Sequence, residues 1–266
     1  MNYLVVKFGG SVLEELPDTF YENIVQLQKE GKWQPIIVHG GGPAISKKLE
    51  QLSLELQFVD GLRVTTKEVL DVVEMVLSGT VNKGIVRSIA KAGGKALGFS
   101  GVDGEFLQVK QVPNKALGYV GEVTNVNETI ISDMALLGYI PVISPIGIDG
   151  DGQTYNVNGD VAAAAIAKSL KAKLCFVSDV PGVYHIQHGE KKILNKVSSE
   201  EIESMIAAGV IKDGMIPKAQ AAIDGLNHNV KEVAILNGKE RDSLIHYSEG
   251  KRIGTRVVLG GEVANG

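Results

Sequence analysis

Tyr3-Leu4-Val5-Val6-Lys7-Phe8-Gly9-Gly10-Ser11 reads as an apolar strand that ends in a lysine, turns through two glycines and leads into a helix. The run has strand length and is bounded by glycine. Glycines let backbone N–H groups come close to an anion, and a following helix N-terminus adds the positive end of its dipole. Lys7 beside such a loop reaches phosphate oxygens, and Gly9 and Gly10 become candidate nucleotide-binding residues. The device recurs at Ile37-Val38-His39-Gly40-Gly41-Gly42-Pro43. Three consecutive glycines carry a heavy chain-entropy cost, which a plain turn does not require but a ligand lying on the backbone explains. Pro43 suits the first position of a helix. His39 reads as a structural hydrogen-bonding residue rather than a general base.

Outward from these two segments, short apolar runs alternate with amphipathic ones. Strands are expected at Tyr3–Phe8, Pro35–Val38, Lys95–Phe99, Ile140–Ile143, Leu174–Ser178 and Glu232–Leu236. Helical spacing joins Ile45, Leu49 and Leu52. Thr65-x-x-Glu68 and Ser198-x-x-Glu201 read as capping boxes, and a further helix is expected from Met215 to about Asn227. This alternation predicts an α/β fold, a three-layer αβα sandwich around a mainly parallel open sheet. Phe106–Lys110 with Tyr119–Val123, and Val183–Ile186 with Lys192–Leu194 around His188-Gly189, read as antiparallel hairpins able to act as lids. A lobe boundary is expected near Leu170–Lys173, dividing residues 1–172 from 173–259. Residues 260–266 read as a frayed, Gly-rich tail.

The 266 residues suffice for two lobes with a sizeable core. A formal net charge of −4 argues against non-specific nucleic-acid binding. No apolar stretch has the length of a bilayer span and no signal-peptide pattern precedes the first strand, so a cytoplasmic protein is expected. The single cysteine, Cys175, lies in an apolar run and reads as a buried strand residue. The five histidines show no metal-ligand spacing. The chain lacks G-x-x-x-x-G-K-[ST], the H-R-D and D-F-G pair, and a G-x-G-x-x-G after the first strand, which argues against P-loop, protein-kinase and dinucleotide-binding readings.

Four more segments carry candidate chemistry. In Gly61-Leu62-Arg63-Val64-Thr65, an arginine ahead of a capped helix is able to clamp a carboxylate. In Tyr155-Asn156-Val157-Asn158-Gly159-Asp160, two asparagines alternate on an extended segment and are expected to point to one side. Asp160 there opens an alanine-rich helix, where an acid is also a good cap. Ser178-Asp179-Val180-Pro181-Gly182-Val183-Tyr184 ends a strand and turns, where ligands of open α/β sheets sit. Asp213-Gly214-Met215-Ile216-Pro217-Lys218 puts a second lysine near a helix start.

Together with Gly118-Tyr119-Val120-Gly121-Glu122-Val123, these segments resemble the amino-acid kinase superfamily from Lys7 to Val257, and within it the branch that phosphorylates acetylglutamate. No motif position departs from that pattern. The resemblance implies ATP-dependent phosphorylation of the side-chain carboxylate of N-acetyl-L-glutamate, a step of arginine biosynthesis, with Mg²⁺ delivered with ATP. It implies an acyl-amino-acid lobe over residues 1–172 and a nucleotide lobe over 173–259. Lys7 and Lys218 would stabilise the phosphoryl group in flight, with Asp160 holding them. Gly41, Gly42, Arg63, Asn156 and Asn158 would bind the acid. Gly9, Gly10, Ser178, Asp179, Val180, Pro181, Gly182, Val183, Tyr184, Val210, Ile211 and Lys212 would line the nucleotide site. Arginine-inhibited members carry an extra helix before the first strand, and that helix links dimers into rings. Two residues precede Tyr3, so the expectation is an arginine-insensitive homodimer, with contact expected around Thr66–Leu77 unless those valines are buried in the monomer. The rival readings are a sister kinase acting on acetylaminoadipate or a carrier-linked acid, a non-catalytic regulator on the same fold, and a Rossmann-type oxidoreductase. The regulator would be expected to lack Lys7, Asp160 or Lys218, and all three are present.

Overall fold

The structure, a computed structural model, describes residues 2–9, 12–187, 190–211, 215–227, 230 and 232–260. In chain order the elements are β1 (Tyr3–Phe8), α1 (Val12–Glu15), α2 (Asp18–Lys29), β2 (Gln34–His39), α3 (Gly42–Gln51), β3 (Phe58–Val59), β4 (Leu62–Arg63), α4 (Lys67–Glu74), α5 (Asn82–Lys91), β5 (Ala96–Ser100), β6 (Leu107–Gln111), β7 (Val120–Val126), α6 (Thr129–Leu136), β8 (Ile140–Ser144), β9 (Ile146–Ile148), β10 (Thr154–Val157), α7 (Gly159–Ser169), β11 (Lys173–Ser178), β12 (Tyr184–Gln187), β13 (Glu190–Ile193), β14 (Lys196–Ser198), α8 (Ser199–Ala207), α9 (Met215–Asn227), β15 (Val233–Asn237), α10 (Ser243–Ser248) and β16 (Thr255–Val258).

Eight strands form one sheet in the order β14-β16-β15-β11-β1-β2-β8-β5. Every pairing is parallel except β15 with β16. The six strands expected from the sequence all lie in this sheet, with ends moved by a residue or so. Successive residues of each strand serve opposite faces. Val5, Ile36, Val38, Leu174 and Phe176 pack with α7 and α9 on one side. Leu4, Val6, Phe8, Ile37, Cys175 and Val177 pack with α2, α3, α4 and α5 on the other. That double burial gives the three layers and explains why the central strands read as nearly continuous apolar runs. Cys175 is fully buried, and burial pushes its thiol pKa well up, as befits a packing residue.

The two expected hairpins form. β12 pairs antiparallel with β13, and the turn residues His188 and Gly189 lie outside the described residues, as does the tail from 261. β6 and β7 do more than pair: with β9 and β10 they close into a small four-stranded barrel. Glycine made β9 hard to see, because Gly147 leaves room that its own Cβ would take from Val109, 2.3 Å from the Val109 Cγ1.

Two local expectations need correction. The cap of α4 is Thr66, whose hydroxyl accepts the Val69 N–H, and not Thr65. The helix runs on past Leu77. Met75–Val81 continues as a π-helical turn into α5, a widening that accommodates the weak helix formers Ser78, Gly79 and Thr80. The valine stripe Val69, Val72, Val73 and Val76 is buried within the monomer, so it supplies no contact face. The box at Ser198 and Glu201 is formed as expected.

Candidate active site

Parallel strands deliver their carboxyl ends to one edge of the sheet. There β1 ends at Phe8, β2 at His39, β8 at Ser144 and β11 at Ser178, so the motifs far apart in sequence converge. The two glycine loops touch. A Cβ on Gly9 would lie 3.0 Å from the Gly40 nitrogen and 3.1 Å from its Cα. A Cβ on Gly41 would lie 2.7 Å from the Leu77 Cδ2, whereas one on Gly42 meets nothing within 4 Å. The glycine run therefore has distinct uses: close loop packing at Gly40 and Gly41, and an open backbone at Gly42 where α3 begins. Gly10 lies outside the described residues.

His39 is wholly buried and anchors this edge. Its Nδ1 is 2.9 Å from the Gly40 carbonyl and donates to it, while Nε2 accepts from Asn82 Nδ2 at 3.2 Å. Asn82 also donates to the Val142 carbonyl at 2.9 Å. Burial, reinforced by Lys7 and Lys83, pulls the His39 pKa down to about 4 from 6.5. Between those values the unfolded chain binds a proton that the folded chain refuses. Stability is therefore full above about pH 6.5 and falls as pH drops towards 4, by about 3 kcal/mol if this group acts alone. His39→Gln is expected to flatten that part of a denaturation-midpoint profile. An unchanged slope in the variant would assign the acid lability elsewhere.

Lys7 Nζ forms an ion pair with Asp160 Oδ1 at 2.7 Å, with side-chain exposures of 17% and 36%. The sequence reading of Asp160 as a cap is corrected here. Asn158 caps α7, its Oδ1 accepting from the Asp160 and Val161 N–H groups at 2.8 and 3.3 Å, which frees the Asp160 carboxylate for Lys7. Asn158 thus gives its Oδ1 to the helix start, while both it and Asn156 line the same cavity. Lys218 lies in the first turn of α9, and its side chain is outside the described residues, as is Lys212.

Beside the ion pair is a cavity of ≈ 170 Å³ lined by Gly40–Gly42, Arg63, Asn156 and Gly159 among others. Arg63 is 8% exposed. Its Nη2 donates to the Gly42 carbonyl at 3.2 Å and to Ser46 Oγ at 2.8 Å, and the Phe58 ring lies 4.8 Å from its guanidinium carbon. Its Nη1 is buried without a hydrogen-bond partner. Burial lowers the Arg63 pKa, yet an arginine stays charged at neutral pH. A buried cation with an unused donor costs free energy that an entering anion recovers. A larger groove of ≈ 440 Å³ between β14 and α8 contains no such unpaired buried donor.

At the end of β11, Ser178 Oγ accepts the Val180 N–H at 3.0 Å. The turn is pinned by Thr255, whose Oγ1 accepts the Val183 N–H at 2.8 Å. Gly182 is needed there: its φ is +148° and a Cβ would lie 2.6 Å from Thr255 Oγ1. Asp179, Pro181 and Tyr184 belong to the same turn and strand start. Ile211 is buried and Val210 exposed, both N–H groups donating to the Met205 carbonyl. Sequence reasoning missed Asn82, Ser46 and Phe58, and it placed Thr255 at the end of the family resemblance without its part in this turn. The partners of Asn82, Ser46 and Thr255 are far away in sequence, so only their place in the fold shows their use. Among the described residues no group of three or more His, Cys, Asp or Glu side chains gathers as metal ligands do. No helix among them is long and apolar enough to cross a membrane.

The model of the amino acid kinase family matches residues 2–237. The chain is 49% identical to an acetylglutamate kinase of Oceanobacillus iheyensis, over 96% of each chain. It is 47% identical to an acetylglutamate kinase of Brevibacillus brevis, again over 96% of each. The crystal structure of smu.665 from Streptococcus mutans superposes with a TM-score of 0.80 at 28% identity, covering 96% of this chain and 98% of that one. On its motifs, its sheet and these relatives, the chain belongs to the amino acid kinase family.

Proposed function

We propose that the protein transfers the γ-phosphoryl group of ATP to the side-chain carboxylate of N-acetyl-L-glutamate, giving N-acetyl-L-glutamyl 5-phosphate and ADP, a step of arginine biosynthesis in the cytoplasm. The observation that carries the acid-binding half is the unpaired Nη1 of buried Arg63 beside a small cavity. That group takes the α-carboxylate, while Gly41 and Gly42 give backbone contacts and Asn156 holds the acetamido end. Asn158 serves the site through the capped start of α7. The side-chain carboxylate is already ionised at neutral pH and needs no general base. One of its oxygens forms a bond to the γ-phosphorus, the bond to the β–γ bridging oxygen breaks, and ADP leaves with the electron pair. The obstacle is repulsion between two anions, which Lys7, Lys218 and the glycine N–H groups offset. Mg²⁺ arrives with ATP and neutralises phosphate charge; Asp160 is committed to Lys7.

In this reading residues 1–172 hold the acid. Residues 173–259 hold the nucleotide, with Ser178–Tyr184, Val210, Ile211 and Lys212 around it and Gly9 and Gly10 against its phosphates. The working unit is a homodimer. Its contact is sought at exposed Leu97 on the edge strand β5 and at Leu136 and Leu137 rather than on α4. Incubation with Mg·ATP and a panel of acids, with hydroxylamine to trap acyl phosphates, tests the substrate. Hydroxamate is expected with acetylglutamate. Hydroxamate from acetylaminoadipate or aspartate in its place would move the protein to a sister activity.

A further inference from the structure

Thr65 was expected to be a helix cap, and Thr66 does that work instead. Thr65 is fully buried. Its backbone is clamped to the barrel: its N–H donates to the Leu117 carbonyl at 2.9 Å, and its carbonyl accepts the Tyr119 N–H at 2.7 Å. Gly118 makes this approach possible, since its φ is +69° and a Cβ there would lie 2.3 Å from the Thr65 oxygen. The side chain then joins two parts of the cavity wall. Thr65 Oγ1 donates to the Arg63 carbonyl at 2.9 Å and accepts from Asn156 Nδ2 at 3.2 Å.

A hydroxyl has one proton to give. Because that proton goes to the Arg63 carbonyl, the oxygen presents only lone pairs to Asn156. The carboxamide must then turn its N–H₂ to Thr65, since its Oδ1 there would oppose acceptor to acceptor. Asn156 Oδ1 has no hydrogen bond among the described residues, and Asn156 lines the cavity. We propose that Thr65 is a positioning residue that holds Asn156 with Oδ1 as a fixed acceptor at the cavity, so that the site reads an N–H donor on its acid substrate. The proposal rests on the acetylglutamate reading and deepens it: the group read is the amide N–H of the acylated amino acid, and an isosteric ester lacks it.

The test compares kcat/KM for acetylglutamate and for 2-acetoxyglutarate, in which an ester oxygen replaces the N–H, using the full chain with Mg·ATP. Wild type is expected to favour the amide by about tenfold or more. Thr65→Ser keeps the hydroxyl and should hold that ratio within about threefold. Thr65→Val lets the carboxamide turn over, so the ratio should fall towards unity, through a higher KM for acetylglutamate with the KM for ATP unchanged. A folded Thr65→Val protein that keeps the wild-type ratio would overturn the proposal, because a merely structural role does not move selectivity. Wild type itself treating both compounds alike would overturn it without any variant. Turnover of neither compound would overturn the acetylglutamate reading, and the proposal with it.

Discussion

Lys7→Ala is expected to lower kcat by about 10²–10³-fold, the usual loss when one donor to a transition-state charge is removed. The KM for acetylglutamate should stay within about threefold of its starting value, since the charge acts mainly on the phosphoryl group in flight. Lys7 is placed for this. It is the penultimate residue of a central strand whose neighbours on both sides are parallel, so its backbone is fixed by β2 and β11. Its ammonium is held by Asp160 at 2.7 Å rather than left to sample solvent. The loops of β1 and β2 and the start of α7 surround it, a Cβ on Gly9 falling 3.4 Å from its Nζ and one on Gly159 falling 3.5 Å from its Cε. Lys218→Ala is expected to lose as much, by the same logic applied to the first turn of α9. Single-turnover kinetics separate chemistry from release. A wild-type kcat in either variant would remove that lysine from the reaction.

Arg63→Ala should do the opposite: raise the KM for acetylglutamate about 10- to 100-fold, the value of a charge-assisted hydrogen bond to a carboxylate, with a smaller change in kcat. The buried guanidinium is held through Nη2 by the Gly42 carbonyl and Ser46 Oγ, which leaves Nη1 without a partner in the fold. Arg63→Lys should recover only part of the loss, because an ammonium is a point charge on one nitrogen and lacks the planar fork that gives Nη2 to the fold and leaves Nη1 for a carboxylate. Steady-state titration of each substrate decides. A rise confined to the KM for ATP would refute the clamp.

The sheet was legible in the sequence because buried parallel strands leave apolar runs that end at glycine, as at Phe8-Gly9 and His39-Gly40. The chemistry-bearing loops after β1, β2 and β11 were legible for the same reason, since each follows such a strand. Asp160 and Asn158 were harder to read. Both are good residues for a helix start, and only the fold shows that Asn158 accepts the N–H groups while Asp160 turns to Lys7. Thr65 and Thr66 posed the same ambiguity, two adjacent threonines either of which satisfies a capping pattern. The π-helical turn after Glu74 leaves no spacing signal in a pattern read at a period of 3.6 residues. Partners joined only in three dimensions, such as His39 with Asn82 and the Gly182 turn with Thr255, carry no local signal.

The proposed reaction makes one new bond, between the γ-phosphorus and an oxygen of the acid's side-chain carboxylate. Phosphorus NMR of the reaction with acetylglutamate carrying ¹⁸O only in that carboxylate observes it directly. The expected result is an acyl phosphate whose bridging oxygen bears the label, seen as an isotope shift of the new phosphorus resonance. An unshifted acyl phosphate resonance, or release of inorganic phosphate with no acyl phosphate at all, would contradict it.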